Sequence, residues 1–491
     1  MAIAQHSRLI APQPTTARPG APDAPERLPL AAVVLIPLAL ALTLGLWGLG
    51  RQGAMWRDEA VTYDMAQRSL PELLRTLEHY DAVHGLYYLV VHGVFAVFGD
   101  GLIQLRLPSL LAVAAAAAGV AVLGRRLAGP GAGLAAGVIF PLLPDAQRYA
   151  QEGRSYALVC AGVVWATVLL LHAAEARRAG AWAGYGAVLL GTCLVHEFAV
   201  LALVAHGVAL CARRAPAGVL RAWGAAVGCV AVGLAPLAAY STGQAELVAW
   251  IGGPSWRIWV GFAVVVTLGV GCAAVARGQV AAVALPLLLA PKVTLLLMSL
   301  ARPLYVERYV FHTSAGLALL LGGAAHALWQ RRGLVRMVAA VVAAVSAIVL
   351  AVPVGQQIRA PESRKDDLAA VAAAVRANAA PGDGLLFTPA RRRVWKLPGG
   401  SPYDGLNDLA QDRSPRASRT LYGTELPPSA IRTRMLGERR IIVLHDRARE
   451  PLDQEAAERV KRATLRAHFE RCAGSEVHGG RVTLYARPGA C

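Results

Sequence analysis

The chain has 491 residues, of which 56% are hydrophobic and only 16% are charged. With a mean hydropathy of +0.46, this composition excludes an ordinary soluble protein and predicts a polytopic α-helical membrane protein. The net charge of +18 would also suit a nucleic-acid binder, but Arg pairs fall in short loops between apolar runs, at 125–126, 177–178, 213–214 and 331–332. This pattern is typical of cytoplasmic membrane loops and argues against nucleic acid as a partner.

The N-terminal segment 1–28 is rich in Pro and Ala with scattered Arg, which predicts a disordered cytoplasmic N-terminus. The apolar run that follows lacks a convincing cleavage site, so we interpret it as a retained first membrane helix. A spanning helix needs about 20 apolar residues. Eleven runs predict spans within a membrane domain over 29–357: 29–50, 103–124, 131–147, 156–174, 181–197, 198–212, 217–240, 256–276, 279–300, 309–329 and 334–357.

A further run, 83–98, is short and is interrupted by His84 and His92. Counting it as a crossing would move the Arg pairs to the side opposite the basic N-terminus. We therefore predict a juxtamembrane helix lying in the interface, with Tyr87 and Tyr88 at headgroup level, inside a first outer loop over 51–104.

With this topology, the outer loops hold a group of carboxylates: Asp58, Glu59, Asp64, Asp81, Glu152, Glu197, Glu246 and Glu307. Positive-inside bias explains part of this sidedness. It does not explain the dense polar tract over 147–156 at a membrane boundary. Ionisable residues in such places are candidates for function.

The composition changes near 356–361, and helices then alternate with strands. Helices at 367–379 and 454–470, with strands at 385–387, 440–445 and 481–486, predict a small α/β domain over 358–491. By charge parity the domain is extracytoplasmic. The absence of a GxGxxG or P-loop motif argues against a nucleotide site in it.

Two cysteines, Cys472 and Cys491, lie in this polar C-terminal part, whereas the other five lie in apolar runs. In an oxidising compartment the two would form a disulfide, but two free thiols fit the sequence nearly as well. No Cys/His spacing predicts a zinc site.

The acidic pair Asp58-Glu59 lies just beyond the first apolar run, in the tract Trp56-Arg57-Asp58-Glu59-Ala60. A solvated loop or a helix N-cap could explain it. Glycosyl transfer from a lipid-phosphate sugar could also use it, because that reaction needs a carboxylate as general base and cations to hold the departing phosphate. Arginine suits the phosphate, since its planar fork donates two hydrogen bonds.

Four tracts occur in an order that resembles bacterial glycosyltransferase family 39: 56–60 (WRDEA), 84–88 (HGLYY) with His92, 106–109 (RLPS), and 148–158 (RYAQEGRSYAL). This family belongs to the C-type (GT-C) membrane glycosyltransferases and is related to protein O-mannosyltransferases and the lipid A aminoarabinose transferase. The resemblance continues at 196–198 and 308–310 and covers about 30–330. Two departures are Gly85, where the family has His-Pro-Pro, and Glu197, where it has an aromatic residue after the histidine.

The resemblance implies a GT-C fold in which Asp58 is the catalytic base and Glu59 supports it. It implies that Arg154 and Arg308 contact the lipid phosphate, and that Glu152 orients donor, acceptor or a divalent ion. Further substrate-binding candidates are Arg148, His84, His196 and Tyr309. We expect Tyr149 and Tyr156 to be interfacial anchors. A divalent cation, Mg or Mn, stays open as a cofactor, because the carboxylates are too scattered in sequence to define a coordination set.

The sequence therefore predicts an inverting glycosyltransferase of the plasma membrane with an extracytoplasmic active site. It would move mannose or another hexose from a polyprenyl-phosphate carrier to a hydroxyl of a protein, lipid or glycan acceptor. One alternative is a transporter or lipid flippase, since Pro286, Pro291 and Lys292 fit a broken helix. Another is a non-catalytic scaffold that has kept the fold.

Overall fold

A computed structural model describes residues 28–244, 250–331, 333, 336, 338, 341–342, 352–398, 401–448 and 450–491. The predictions for the N-terminal 1–27, for Glu246 and for most of the span 334–357 lie outside these residues. The helices of the N-terminal part are α1 Leu30–Leu46, α2 Arg57–Gln67, α3 Leu70–Leu77, α4 Gly85–Phe98, α5 Leu102–Ala128, α6 Pro130–Leu142, α7 Pro144–Ala150, α8 Tyr156–Ala176, α9 Ala179–Val195, α10 Ala202–Ala212, α11 Ala217–Thr242, α12 Trp256–Ala276, α13 Gly278–Ala301 and α14 Thr313–Trp329.

The first ten predicted spans coincide with helical segments of this bundle. Within the described residues, α5, α8, α11, α12 and α13 are long and apolar enough to cross a membrane, and the other apolar helices are shorter. The predicted polytopic helical fold is therefore confirmed. Large apolar side chains on α11 and α12 remain exposed, among them Val232, Trp259 and Val264, as expected for a lipid-facing surface.

Small residues set the spacing of the central helices α5, α6 and α14. A Cβ atom at Gly322 would lie 2.4 Å from the backbone nitrogen of Ala136, and one at Gly133 would lie 2.5 Å from the carbonyl oxygen of Ala121. Larger side chains could not occupy these positions without separating the helices. Close backbone approach at small residues is the usual means of packing helices in a membrane.

The helix α13 is continuous through Pro286 and Pro291, and both prolines are buried. The broken helix that would have favoured a transporter is therefore not present there. Lys292 is half-buried on the same continuous helix.

The two ends of the bundle carry different side chains. At one end of α8, Arg126 forms an ion pair with Glu175 at 2.6 Å. At the other end, the ring of Tyr156 lies 5.8 Å from that of His196, which in turn lies 5.1 Å from the His84 ring. Because α8 has 21 residues, these ends are about 30 Å apart. We call the end at Tyr156 the outer end, and its extracytoplasmic location remains a prediction.

A helix occupies the stretch of sequence where we predicted the juxtamembrane helix, but its tyrosines are not in the environment that we predicted. Tyr87 and Tyr88 are fully buried, because α4 packs between α2 and α5. The Tyr88 hydroxyl donates to Asp81, and the Tyr87 hydroxyl lies 3.5 Å from that of Ser109. The two rings thus belong to the interior of the outer loop and not to a headgroup layer.

The C-terminal part is the predicted α/β domain. Its helices are α15 Leu368–Asn378, α16 Pro428–Gly437 and α17 Ala456–His468, with a single turn at Pro415–Ser418. Its strands are β1 Gly384–Thr388, β2 Asn407–Asp408, β3 Gln411–Arg413, β4 Thr424–Glu425, β5 Arg440–His445, β6 Glu470–Val477 and β7 Gly480–Ala486. The main sheet has the order β2-β1-β5-β7-β6. β1 is parallel to β2 and β5, whereas β7 is antiparallel to β5 and β6.

Each face of this sheet has its own apolar core. Leu385, Ile442 and Leu484 pack with α15 and with side chains of α2 and α4. Ile441 and Val443 face the other way and pack with α16 and α17. The sequence did not predict β6, because Glu470–Val477 is an edge strand of mixed exposure without a clear apolar alternation.

Direct contacts join the C-terminal domain to the outer end of the bundle. The Leu368 amide donates to the Met55 carbonyl at 2.9 Å, and Arg364 pairs with Glu152 at 2.6 Å. Arg57 pairs with Asp366 at 3.1 Å. The domain therefore covers the outer loop and forms one wall of the space above it.

Cys472 and Cys491 form a disulfide that ties the C-terminus to β6, which settles the alternative left open by the sequence.

We predict that both thiols resist a membrane-impermeant maleimide on intact cells and become labelled after mild reduction, because an extracytoplasmic domain lies in an oxidising compartment. Cys211 is the internal control, since it is a free and exposed cysteine beside the predicted cytoplasmic Arg213-Arg214 loop. Labelling of Cys211 before cell lysis, or of Cys472 and Cys491 only after it, would contradict the predicted topology.

Candidate active site

A solvent-open cleft lies between the outer end of the bundle and the C-terminal domain, with an empty volume of about 1210 Å³. Its lining residues come from both parts of the chain: Arg57, Asp58, Val61, Asp81, His84, Arg154, Tyr156, Trp250, Arg308, Tyr309, Lys365, Arg391, Leu421 and Tyr422. Five of the sequence-predicted site residues are among them: Asp58, Arg154, Arg308, Tyr309 and His84. We call this space the active-site cleft.

Asp58 occupies the first turn of α2, where the positive end of the helix dipole stabilises a carboxylate. Its side chain is 21% exposed, and one carboxylate oxygen lies 3.5 Å from a terminal nitrogen of Arg308. The predicted base and a predicted phosphate ligand are therefore neighbours in the cleft, although they are far apart in sequence.

Arg308 lies on the 3-10 turn Glu307–Val310 among aromatic rings. Its guanidinium carbon is 5.5 Å to 5.8 Å from the ring centroids of Trp56, Tyr156, Trp250 and Tyr309. Such rings stabilise a cation without using its N–H groups. The Arg308 Nε is buried without a hydrogen-bond partner in the described part of the chain, so the fork keeps donors for an anionic ligand.

Arg154 is held in place by a hydrogen-bonded chain. It donates to Thr62 Oγ1 at 3.3 Å and to His84 Nε2 at 2.8 Å. Because Arg154 can only donate, that His84 nitrogen must accept. His84 is therefore neutral, and its Nδ1–H donates to Asp81 at 2.8 Å.

The pKa shifts of His84 and Asp81 agree with a neutral His84. Burial and the Arg154 charge both lower the pKa of His84, which keeps the ring neutral. Burial would raise the pKa of Asp81, but His84 and Arg154 outweigh it and the net shift is downward. Asp81 was not among the predicted site residues, because its position in the chain gave no sign that it would meet His84 and Arg154.

Aromatic side chains form one wall of the cleft. Tyr309 stacks on Phe198 with centroids 4.9 Å apart, and His196 lies 5.1 Å from Tyr309. His196 is buried behind this wall and does not line the cleft. Tyr156 does line it, and Tyr149 is buried with its ring 4.7 Å from that of Phe311, so neither tyrosine is the interfacial anchor that we expected.

Cations outnumber carboxylates in the lining. Arg57, Arg154, Arg308, Lys365 and Arg391 face Asp58 and Asp81. The Lys365 ammonium lies 4.6 Å from the Trp250 ring centroid. Lys365, Arg391 and Tyr422 were missed, because they come from the C-terminal domain and only the docking of that domain brings them to Asp58.

Glu59 points away from the cleft and is fully buried. It accepts from Arg51 at 2.6 Å, from Arg106 at 2.7 Å and 2.8 Å, and from the Gly153 amide at 3.0 Å. Burial would raise its pKa, but Arg106 and Arg51 outweigh it and lower the pKa to about 2. Glu59 thus lies outside the cleft lining and holds the turn of α2 that carries Asp58.

Glu152 and Arg148 also do not line the cleft. Glu152 is buried and pairs with Arg364 at 2.6 Å, while Arg148 lies 3.5 Å from it and is partly exposed. These contacts fit a structural role at the domain junction, whereas we predicted that Glu152 orients a substrate or a divalent ion and that Arg148 binds substrate. Among the residues described, no group of three or more His, Cys, Asp and Glu side chains is placed to hold a metal ion.

We predict that Glu59→Gln lowers the free energy of unfolding by about 3–5 kcal/mol, because it leaves two buried guanidiniums without their counter-charge. Asp58→Asn, the adjacent control, should change it by less than about 1 kcal/mol, because Asp58 is partly exposed and its pair with Arg308 is long. Thermal unfolding in detergent, followed by tryptophan fluorescence, measures both.

The low pKa of Glu59 also predicts that the free energy of unfolding depends on pH. Since its folded-state pKa is about 2 against an ordinary value of 4.5, the stabilisation is complete above pH 4.5 and is lost as the pH falls towards 2. The wild type should therefore lose more stability than Glu59→Gln over this interval. Equal losses would contradict the assignment.

Known protein families, curated proteins and solved structures were compared with this chain. The sequence profile of the dolichyl-phosphate-mannose-protein mannosyltransferase family matches residues 86–241, which include α4, α5 and the 148–158 tract. Comparison with the curated proteins finds no match.

Among solved structures, apo ArnT from Cupriavidus metallidurans is similar with a TM-score of 0.57 at 12% identity, covering 92% of this chain and 97% of that one. The same protein bound to undecaprenyl phosphate is similar with a TM-score of 0.54 at 12% identity, covering 92% and 98%. At this identity the likeness concerns the fold, and it includes both the bundle and the C-terminal domain. The chain therefore has the fold of the C-type membrane glycosyltransferases, and its resemblance to glycosyltransferase family 39 is confirmed.

Proposed function

We propose that the protein transfers a sugar from a polyprenyl-phosphate carrier to an acceptor hydroxyl, with Asp58 as the general base. The observation that carries this proposal is the position of Asp58, 3.5 Å from Arg308, in a cleft whose lining also holds Arg154 and Lys365, neither of which forms an ion pair within the described residues. A lone base would not need so much positive charge beside it. A leaving phosphate does.

In the proposed reaction the acceptor oxygen forms a bond to C1 of the sugar, and Asp58 takes the hydroxyl proton. The bond from C1 to the phosphate oxygen breaks, and its electron pair leaves with the polyprenyl phosphate. Arg308 donates to the phosphate oxygens, and Arg154 adds positive charge from a position fixed by His84 and Thr62. Attack from the face opposite the leaving phosphate inverts the configuration at C1.

The carrier is assigned from the location of the cleft and from the comparison. The cleft opens at the end of apolar helices, where a polyprenyl chain can lie in the membrane while its phosphate reaches Arg308. ArnT from Cupriavidus metallidurans has the same fold and was solved with undecaprenyl phosphate bound. The family profile refers to dolichyl-phosphate mannose, which supports mannose or another hexose as the sugar.

The remaining parts of the proposal concern the surroundings of the reaction. The acceptor is a protein, lipid or glycan that enters between the bundle and the C-terminal domain, and the cleft faces the extracytoplasmic side of the plasma membrane. Guanidiniums neutralise the phosphate in this proposal. A requirement for Mg or Mn stays a separate prediction that chelation of the purified protein would test.

We predict that Asp58→Asn lowers the transfer rate by about 10²–10⁴-fold, the usual contribution of a general base. Purified protein is incubated with radiolabelled polyprenyl-phosphate mannose and membrane extract, and the label in non-carrier material is counted. Asp100→Asn is the matched control, because it removes an exposed carboxylate of the same outer loop outside the cleft. Equal rates for wild type and Asp58→Asn would contradict the role of Asp58.

We predict that Arg308→Gln weakens binding of the lipid-phosphate donor by tenfold or more, because it removes the guanidinium fork that donates to the phosphate oxygens. Asp58→Asn should not weaken that binding, because the Asp58 carboxylate competes with the phosphate for Arg308, and this difference separates binding from chemistry. Binding of labelled donor to protein in nanodiscs measures both. The control is Arg302→Gln, an exposed arginine just before Arg308, and an equal effect of the two Arg variants would contradict a specific contact.

A further inference from the structure

A second cleft lies wholly within the C-terminal domain, with an empty volume of about 910 Å³. It opens at the carboxyl ends of the parallel strands β1 and β5, where Thr388 and His445 form part of its lining. Ligands of α/β sheets commonly bind at this edge, since the loops that follow the strands converge there. We call this space the arginine cleft. We propose that it binds a phosphate monoester group.

Five arginines from four different elements line the arginine cleft. Arg462 and Arg466 lie one turn apart on α17, so they share a face of the helix. Arg471 comes from β6, Arg481 from β7, and Arg447 from the loop after β5. Since β7 residues alternate between the two faces of the sheet, Arg481 lies on the same face as Thr483 and Tyr485, which also line the cleft.

These five arginines, which are exposed or half-buried, differ from the buried cations of the domain. Arg392, Arg393 and Lys461 each form ion pairs. None of the five arginines forms an ion pair within the described ranges, and the contacts of Arg462 and Arg481 are to the backbone oxygens of Asp453 and Asp446. Among the residues that the structure describes, no direct ion pair therefore balances their charge.

The carboxylates of the arginine cleft are already engaged elsewhere. Asp446 accepts from Arg391 at 2.6 Å and also pairs with Arg392. Glu450 pairs with Arg392 at 3.2 Å, and Asp453 lies 3.8 Å from Arg391. His445 lines the same cleft. Burial, together with the charges of Arg481 and Arg471, lowers its pKa to about 4.

The positive charge of the arginine cleft favours a phosphate monoester over a carboxylate as its ligand. A monoester phosphate carries close to two negative charges at neutral pH and offers three acceptor oxygens, whereas a carboxylate carries one charge on two oxygens. Several guanidinium forks in the lining of one cleft match the former. The arginine cleft also shares a wall with the active-site cleft, because Arg391 lines the latter while it pairs with Asp446 of the former.

Equilibrium dialysis of radiolabelled orthophosphate against the full chain in nanodiscs tests this proposal without any transfer reaction. The variant Arg466→Gln/Arg471→Gln removes two exposed side chains of the arginine cleft. The matched control Arg432→Gln/Arg459→Gln removes the same charge from exposed positions outside it. Arg308→Gln reports separately on phosphate bound in the active-site cleft.

We expect the arginine-cleft variant to lose at least tenfold in affinity at one class of site, which the control and Arg308→Gln retain. Glucose 6-phosphate should displace the label at a concentration at least tenfold lower than glucuronate does. The proposal is overturned if wild type binds no phosphate, if both arginine pairs weaken binding equally, or if Arg308→Gln alone abolishes it. Equal displacement by the two sugars would overturn the assignment to phosphate.

Discussion

The outer end of the molecule depends on the ion pairs that the buried carboxylate of Glu59 forms. It pairs with Arg51 beyond α1 and with Arg106 on α5, and it accepts from the Gly153 amide. Arg106 extends this connection by donating to the carbonyls of Leu49 and Ala54. Because consecutive residues of a helix differ by about 100° in direction, a Glu59 that faces inward leaves Asp58 facing the cleft. One carboxylate of the acidic pair therefore fixes the helix, and the other lines the cleft.

A second constraint is the docking of the C-terminal domain. Asp366 accepts from the Arg57 backbone at 3.0 Å and from the Trp395 indole at 3.2 Å, and it pairs with the Arg57 side chain. Arg68, the residue that follows α2, donates to the Thr420 carbonyl at 3.0 Å. These contacts bind the domain to the helix that carries Asp58, so the wall that supplies Lys365 and Arg391 has a fixed position relative to Asp58.

The sequence predicted the fold class, most helices and the key cleft residues, because these depend on local signals. Hydropathy located the helices, β-branched and apolar runs located β1, β5 and β7, and the order of the family tracts identified Asp58, Arg154 and Arg308. The sequence did not show which side chains point into the cleft and which point into the interior. Glu59, Glu152 and His196 looked equivalent to the cleft residues in sequence, and only the packing shows that they face the interior. The contribution of Lys365 and Arg391 was equally inaccessible, since it depends on how two domains meet.

The Asp58–Arg308 pair also explains how the proposed base can be stable before substrate binds and available afterwards. In the structure each neutralises the other at 3.5 Å, a distance that leaves the contact weaker than a close bidentate pair. In the proposed reaction the donor phosphate, with more negative charge and more acceptor oxygens, competes with Asp58 for the Arg308 fork. The carboxylate then loses its partner just as the sugar arrives beside it. Donor binding would thus precede activation of the acceptor, and the cations that remain around the phosphate would keep the negative charge of Asp58 from repelling it.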